Sequence, residues 1–227
     1  MRIAELFYSI QGEGSLLGVP SVFIRTSGCN LRCHWCDTPY TSWEPEGEEM
    51  PLDHIARYVR AHSRGHVVVT GGEPMIAPDV VSLTRELSNL GQHITIETAG
   101  TVYAPVVCNL MSLSPKLANS TPWEREGGRR AEAHERLRLQ PEVLHRLMED
   151  YEYQLKFVVA SPSDLEELNS LVATLGAEPS RVWLMPEGVD RDELAERSAW
   201  LVDIAKREGY RFTPRLHIDL FGHRRGV

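Results

Sequence analysis

The sequence predicts an α/β protein, a partial β/α barrel of about six parallel strands with helices packed outside. Short runs rich in Val, Ile and Phe alternate along the chain with stretches of helical period. That alternation is the mark of successive βαβ units around a parallel sheet. Several of the runs are apolar throughout, as strands buried on both faces are. The 227 residues fall short of the ~250 that a complete eight-fold barrel typically takes, so the barrel is incomplete or the sheet stays open. The same length suits one domain and is too short for two ordinary ones, so residues 1–227 are read as a single domain.

In chain order, a strand is expected from Pro20 to Arg25. Leu52 to His62 places Leu52, Ile55, Ala56 and Val59 at helical spacing. A strand follows from His66 to Thr70, then a helix from Asp79 to Leu90 carrying Val80, Leu83 and Leu87, with Gly91 to stop it. Strands are expected from His93 to Glu97 and from Val107 to Leu113. The stretch from Glu124 to Arg138 is dense in charge of both signs and contains Gly127-Gly128; it reads either as a mobile lid or as a solvated surface helix. A short helix is expected from Glu142 to Asp150, behind Pro141, and a strand from Gln154 to Ala160. Ser163-Asp164-Leu165-Glu166 has the form of a capping box, opening a helix that presents Leu165, Leu168, Val172 and Leu175 and closes at Gly176. A strand from Arg181 to Met185, a helix from near Asp190 to Gly209 and a strand from Arg215 to Leu220 complete the expectation. In a fold of this kind chemistry gathers at the C-terminal ends of the strands, and each motif below follows an expected strand.

Composition narrows the function classes. Lys and Arg number 24 against 32 Asp and Glu, a formal charge of −8, which is a poor match for the phosphate backbone of a nucleic acid. No apolar run approaches the roughly 18 residues of a membrane span, and Met1-Arg2-Ile3-Ala4-Glu5 lacks the apolar core of a secretory signal. The chain is therefore read as cytoplasmic, without a membrane or nucleic-acid partner.

Three of the four cysteines crowd into Cys29-Asn30-Leu31-Arg32-Cys33-His34-Trp35-Cys36, a C-x3-C-x2-C loop. A disulfide framework would spread them out. Three thiolates on one compact loop suit three corners of a [4Fe–4S] cubane, whose fourth iron then keeps an open position. Zinc is the alternative and requires a fourth ligand, for which His34 or Cys108 would have to serve. Cys108 falls in an expected strand and reads as a core thiol. Thr70-Gly71-Gly72-Glu73-Pro74 follows the strand from His66; its glycines let backbone approach a ligand closely, and a carboxylate there can accept from an ammonium. Ser114-Pro115-Lys116 and Met185-Pro186-Glu187-Gly188 also follow strands. Ile10-Gln11-Gly12-Glu13-Gly14, ahead of the cysteines, offers an amide, a carboxylate and two glycines for the edge of a heterocycle. Arg25, four residues before Cys29, suits a substrate carboxylate or a structural ion pair.

The cysteine loop, with an aromatic just before its last Cys, resembles the radical S-adenosylmethionine superfamily. SIQGEG, FIRTSGCNLRCHWCDT, TGGEP, ITIETAGT, SLSPKLANSTP, YQLKFVV and LMPEG together resemble the 7-carboxy-7-deazaguanine synthase family, over the chain as far as about Gly188. The resemblance implies a radical-SAM-type partial barrel. It implies an enzyme that contracts the ring of 6-carboxy-5,6,7,8-tetrahydropterin, with loss of ammonia, to 7-carboxy-7-deazaguanine, a precursor of queuosine and other 7-deazapurines. S-adenosylmethionine would be cleaved by one electron to a radical that takes the C6 hydrogen, and would be regenerated.

Carried over residue by residue, the resemblance implies a [4Fe–4S] cluster on Cys29, Cys33 and Cys36. S-adenosylmethionine would lie against Trp35, Cys36, Asp37, Gly72, Glu73, Ser114, Pro115 and Lys116, with Met185, Pro186, Glu187 and Gly188. The pterin would meet Ile10, Gln11, Gly12, Arg25 and Thr70, with Val227 as terminal carboxylate, and Thr38 would bind Mg²⁺. The resemblance also implies a flavodoxin or ferredoxin as electron donor, and a homodimer. The stretch from Glu124 to Arg138 matches no motif, and the tail is less like the family. Two other readings stand beside this one: another radical enzyme such as a glycyl-radical activase, and a zinc-binding interaction module.

Overall fold

The computed structural model describes all 227 residues. Nine strands form one sheet: β1 (Arg2–Ile10), β2 (Pro20–Thr26), β3 (Glu48–Glu49), β4 (His66–Gly71), β5 (His93–Thr98), β6 (Leu110–Leu113), β7 (Tyr153–Val159), β8 (Val182–Pro186) and β9 (Arg211–Phe212). Their order is β3-β1-β2-β4-β5-β6-β7-β8-β9. From β2 to β9 all neighbours are parallel, while β1 runs antiparallel to both β2 and β3. The two edges do not pair, so the barrel is open. Seven strands are parallel rather than about six, because the two-residue β9 adds a last rung beside β8.

Helices cover the outside: α1 (Pro39–Ser42), α2 (Leu52–His62), α3 (Val80–Asn89), α4 (Ala131–Arg138), α5 (Pro141–Asp150), α6 (Asp164–Leu175), α7 (Arg191–Glu208) and α8 (Leu216–Phe221). Helix α3 buries Val80, Leu83 and Leu87 against the sheet, and α6 buries Leu168, Leu171, Val172 and Leu175. Helix α7 begins where the Asp190 carboxylate accepts from the backbone N–H groups of Asp192 and Glu193, at 2.9 and 3.2 Å.

The strand interiors differ from the expectation in one instructive way. Val67 and Val69, Ile94 and Ile96, and Leu155, Phe157 and Val159 join the core shared with the helices. The residues between them, at the period of two that a strand imposes, belong to the other face: Val68 and Thr70, Thr95 and Glu97, Gln154 and Lys156. Runs that read as apolar on both sides thus carry a polar face turned into the barrel lumen.

Three further differences matter. The run from Arg215 to Leu220, expected as strand, falls in helix α8 (Leu216–Phe221), since a short apolar run does not distinguish the two. Strand β1 was not expected, because Arg2, Glu5 and Ser9 interrupt its apolar residues. The capping box does not form: Ser163 is αR, its hydroxyl pairs with that of Ser161 at 2.7 Å, and the Asp164 carboxylate takes the Ala160 and Ser161 N–H groups instead.

The antiparallel sense of β1 fixes where its motif goes. Ile10, its last residue, lies opposite Pro20, the first residue of β2. The Gln11–Gly18 loop therefore starts at the N-terminal ends of the parallel strands, contrary to the expectation that every motif sits at the C-terminal ends. It crosses the lumen as a floor: Gly14 N–H donates to Thr213 Oγ1 at 2.8 Å and Ser15 N–H to Gln154 Oε1 at 2.9 Å. Gly14 has φ +72°, and a Cβ there would fall 2.4 Å from Gln154 Nε2.

Candidate active site

The cysteine loop leaves the C-terminal end of β2, at the opposite end of the lumen from this floor. It is interlocked with the Gly71-Gly72 turn after β4. Gly72 N–H donates to Thr26 O at 3.1 Å and Glu73 N–H to Gly28 O at 2.9 Å, so the two segments touch backbone to backbone. A Cβ on Gly72 would lie 2.1 Å from Gly28 O, which no side chain permits. Between roof and floor lies a cavity of about 470 Å³.

Cys29, Cys33 and Cys36 all line that cavity. Burial pushes the Cys29 and Cys33 thiols up to about 12; Glu73 adds to it at Cys29, and Cys36 raises both. Three thiolates so placed repel one another unless a cationic centre binds them. No three His, Cys, Asp or Glu side chains are gathered to hold a single metal ion. Thiols that each hold a different iron of a cubane need no such single-ion geometry, so the donor set fits a cluster. The fourth ligands that zinc would require do not join: the His34 ring is exposed, and Cys108 packs at the edge of the helix-side core.

Of the other residues expected near the thiols, Trp35, Asp37, Thr38, Gly72, Ser114, Lys116, Met185, Glu187 and Gly188 line the cavity. Lys116 Nζ donates to Ser114 O and Oγ at 2.8 and 2.7 Å and lies 5.8 Å from the centre of the Trp35 ring. Pro115 and Pro186 are buried behind the wall. Glu73 lies directly behind the Gly71-Gly72 turn. Its carboxylate accepts from Thr98 Oγ1 at 2.7 Å, Ala99 N at 2.9 Å and Met75 N at 3.1 Å, and its side chain is off the wall. What this motif presents to the cavity is Gly71 and Gly72, not the Glu73 carboxylate.

Ile10, Gln11, Gly12, Arg25, Thr70 and Val227 also line the cavity. Gln11 Nε2 and Thr70 Oγ1 both donate to Glu97, one to each carboxylate oxygen. Arg25 Nε stands 2.8 Å from Glu5 Oε2, with the guanidinium 5.7 Å from the Phe7 ring centre. Arg25 is thus both an ion-pair partner and part of the wall.

Among the charged or titratable residues on this wall, Glu97, Lys156, Arg215 and His217 were not singled out in the sequence, and they stand beside Glu13 of the Ile10–Gly14 motif. Glu13 pairs with both Lys156 and Arg215. Arg215 also pairs with Asp37 and donates to Gly188 O at 2.5 Å, joining floor, cysteine loop and β8 loop through one guanidinium. Burial works against charge on Glu13, but Lys156 and Arg215 hold its carboxyl far below the usual range. Asp37 is likewise lowered by Arg215 in spite of its burial. Burial keeps His217 below the ordinary imidazole value. The available signal was a lone charge inside an apolar run, Glu97 in His93–Thr98 and Lys156 in Tyr153–Val159.

The fold and the three-thiol loop define a class. A model of the radical SAM superfamily matches residues 23–116. The chain is similar over 95% of its length to the crystal structure of QueE from Escherichia coli, at TM-score 0.70, 26% identity and 94% coverage of that chain. It is 46% identical to the 7-carboxy-7-deazaguanine synthase of Rhodopirellula baltica, over all of this chain and 89% of the relative. It is also 46% identical to that of Halobacterium salinarum, over 97% and 90%. The chain belongs to the 7-carboxy-7-deazaguanine synthase family.

Proposed function

We propose that this chain catalyses the reaction its relatives are named for, converting 6-carboxy-5,6,7,8-tetrahydropterin to 7-carboxy-7-deazaguanine with release of ammonia. The observation that carries the reading is a single cavity lined both by the three thiols and by the hydrogen-bonded set of Gln11, Thr70 and Glu97. A glycyl-radical activase must admit a protein segment, whereas this floor is closed by a loop. A zinc module leaves the Gly71-Gly72 turn without a purpose.

Cys29, Cys33 and Cys36 would hold the [4Fe–4S] cluster, with S-adenosylmethionine against Trp35, Gly72, Ser114, Lys116 and the Met185–Gly188 segment. When bound, these groups supply a one-electron reductive cleavage that yields a hydrogen-abstracting radical. The chain's own residues orient and enclose. The Glu97 carboxylate has lone pairs left for the amino edge of a pterin, and Gln11 and Thr70 fix its rotamer. Arg25, once a substrate carboxylate competes with Glu5, supplies a fork of the right charge. Thr38 Oγ1 on the wall suits Mg²⁺, which keeps waters and takes few protein oxygens. Val227 lines the same cavity.

The whole chain acts as one domain, as a cytoplasmic homodimer reduced by a flavodoxin or ferredoxin, and its product feeds queuosine or another 7-deazapurine. No helix is long and apolar enough to cross a membrane. The test is anaerobic reconstitution with iron and sulfide, then turnover of the carboxytetrahydropterin with reductant, S-adenosylmethionine and Mg²⁺. Deazaguanine and ammonia in equal amounts are expected, faster with Mg²⁺. Deoxyadenosine without deazaguanine would indicate another radical enzyme, and colourless protein with stoichiometric zinc would indicate the binding module.

A further inference from the structure

The charged stretch from Glu124 to Arg138 grips the cysteine loop from outside the cavity. It turns through Glu126, Gly127 and Gly128, all at positive φ, and then forms α4. His134, on α4, is only 2% exposed. Both of its ring nitrogens are engaged. Nδ1 accepts the backbone N–H of Arg32 at 3.0 Å, and Nε2 lies 2.9 Å from Ser120 Oγ. The Ser120 hydroxyl gives its own proton to Leu117 O at 2.7 Å, so at His134 it accepts, and the ring carries its proton on Nε2. Nδ1 is therefore a bare acceptor. Ser120 O in turn accepts the N–H of His34 at 2.7 Å.

The two backbone N–H groups that flank Cys33 are thus held by one pair, His134 and Ser120. Two further contacts close the grip. Arg125 Nη1 donates to His34 O at 3.2 Å and stacks 3.9 Å from the centre of the Trp43 ring, whose Nε1–H donates to Cys33 O at 3.0 Å. Helix α4 is itself anchored, since Arg138 binds Glu135, Glu167 and Lys116 O. The loop from Cys29 to Cys36 has no helix or strand of its own, so its rigidity comes from these partners. Residues one shell out from metal ligands fix them in this way.

We propose that His134 is a positioning residue for the cluster: by accepting the Arg32 N–H it fixes the segment between Cys29 and Cys33 and sets how long the cluster survives on its three thiols. This rests on the reading that those cysteines hold a [4Fe–4S] cluster. Burial pushes the His134 imidazole down to about 4, so the acceptor is in place at neutral pH.

The contrast between His134→Asn and His134→Gln tests the role. An Asn side chain carries its carbonyl near the position of Nδ1, whereas Gln reaches the Nε2 position and leaves Nδ1 without a substitute. In anaerobically reconstituted enzyme exposed to air, the loss of the visible cluster absorbance is followed together with the iron retained after desalting. His134→Gln is expected to bleach roughly tenfold faster than the natural chain, the lower end of what losing a contact that supports a metal ligand costs in affinity or activity. His134→Asn is expected to stay within about twofold. Amide exchange at Arg32 in the cluster-free proteins gives a second reading that does not depend on iron: protected in the natural chain and in His134→Asn, fast in His134→Gln. Equal bleaching and equal Arg32 exchange in the two variants, or bleaching that merely follows their melting temperatures, would overturn the proposal. A natural chain that takes up no iron would overturn the cluster reading instead, with the Arg32 exchange contrast left standing.

Discussion

The Thr70 hydroxyl donates to Oε2 of Glu97 at 2.8 Å, across neighbouring strands, while Oε1 of the same carboxylate takes Gln11 Nε2 at 3.0 Å. Floor loop, β4 and β5 therefore converge on one anion that faces the cavity.

Glu97→Gln keeps the size but turns one acceptor into a donor facing Thr70 or Gln11. Hydrogen bonds to a charged group are worth about 1.5–3 kcal/mol, so kcat/KM should fall about 10- to 150-fold, mostly through KM. Iron content should not change. Steady-state kinetics beside an iron assay decide it, and an unchanged KM would remove Glu97 from the substrate's contacts.

Glu13→Gln leaves Lys156 and Arg215 without their shared partner. Removing one member of a buried ion pair costs about 3–5 kcal/mol, so a loss of that order is expected in denaturant unfolding at neutral pH. The carboxyl of Glu13 titrates far lower folded than unfolded, where it lies near 4.3. Its stabilisation is complete above the unfolded value and drains away as pH falls below it. The gap between natural and variant chains should therefore close in acid; a gap that stays constant to pH 3 would contradict the pairing.

His134 has the same sign from a neutral base. Its folded value of about 4 is set first by burial; Glu135 acts to raise it, Arg138 and Lys116 to lower it. The unfolded imidazole takes its proton near 6.5. Cluster-free protein should lose up to roughly 3 kcal/mol as pH drops from 6.5 to 4, because the unfolded state binds the proton first. His134→Asn should flatten that stretch of the profile. An identical slope in the variant would mean that other groups carry it.

Arg25→Ala separates its two partners. If the guanidinium receives the substrate carboxylate, KM should rise about tenfold or more, while Glu5→Gln leaves KM near that of the natural chain. A fall in melting temperature for Arg25→Ala with KM unchanged would leave only the pair with Glu5, whose Oε2 also accepts the Tyr40 hydroxyl at 2.6 Å.

What was legible in the sequence was what ligand chemistry compresses into short segments. Cys29, Cys33 and Cys36 share a loop because one cluster must be reached from one backbone, and Gly71-Gly72 stand alone as a close-approach turn. Glu13, Lys156 and Arg215 meet across gaps of 143 and 202 residues, and no local pattern encodes such a meeting. Their trace was a single charge in an otherwise apolar or turn-like context. His134 was hidden for a different reason: in a segment dense with Arg and Glu, solvation is the natural reading, and only its 2% exposure distinguishes it. Strand β1 was obscured by its own polar residues, and with it the direction in which its loop enters the lumen.

That direction separates two inheritances within one small barrel. The roof is committed to the cysteines and to the groups around them. The floor is a short loop hung from β1 and steadied by Thr213 and Gln154. The two ends are nevertheless tied: Glu13 of the loop shares Arg215 with Asp37, the neighbour of Cys36, so a change in the floor is felt at the roof.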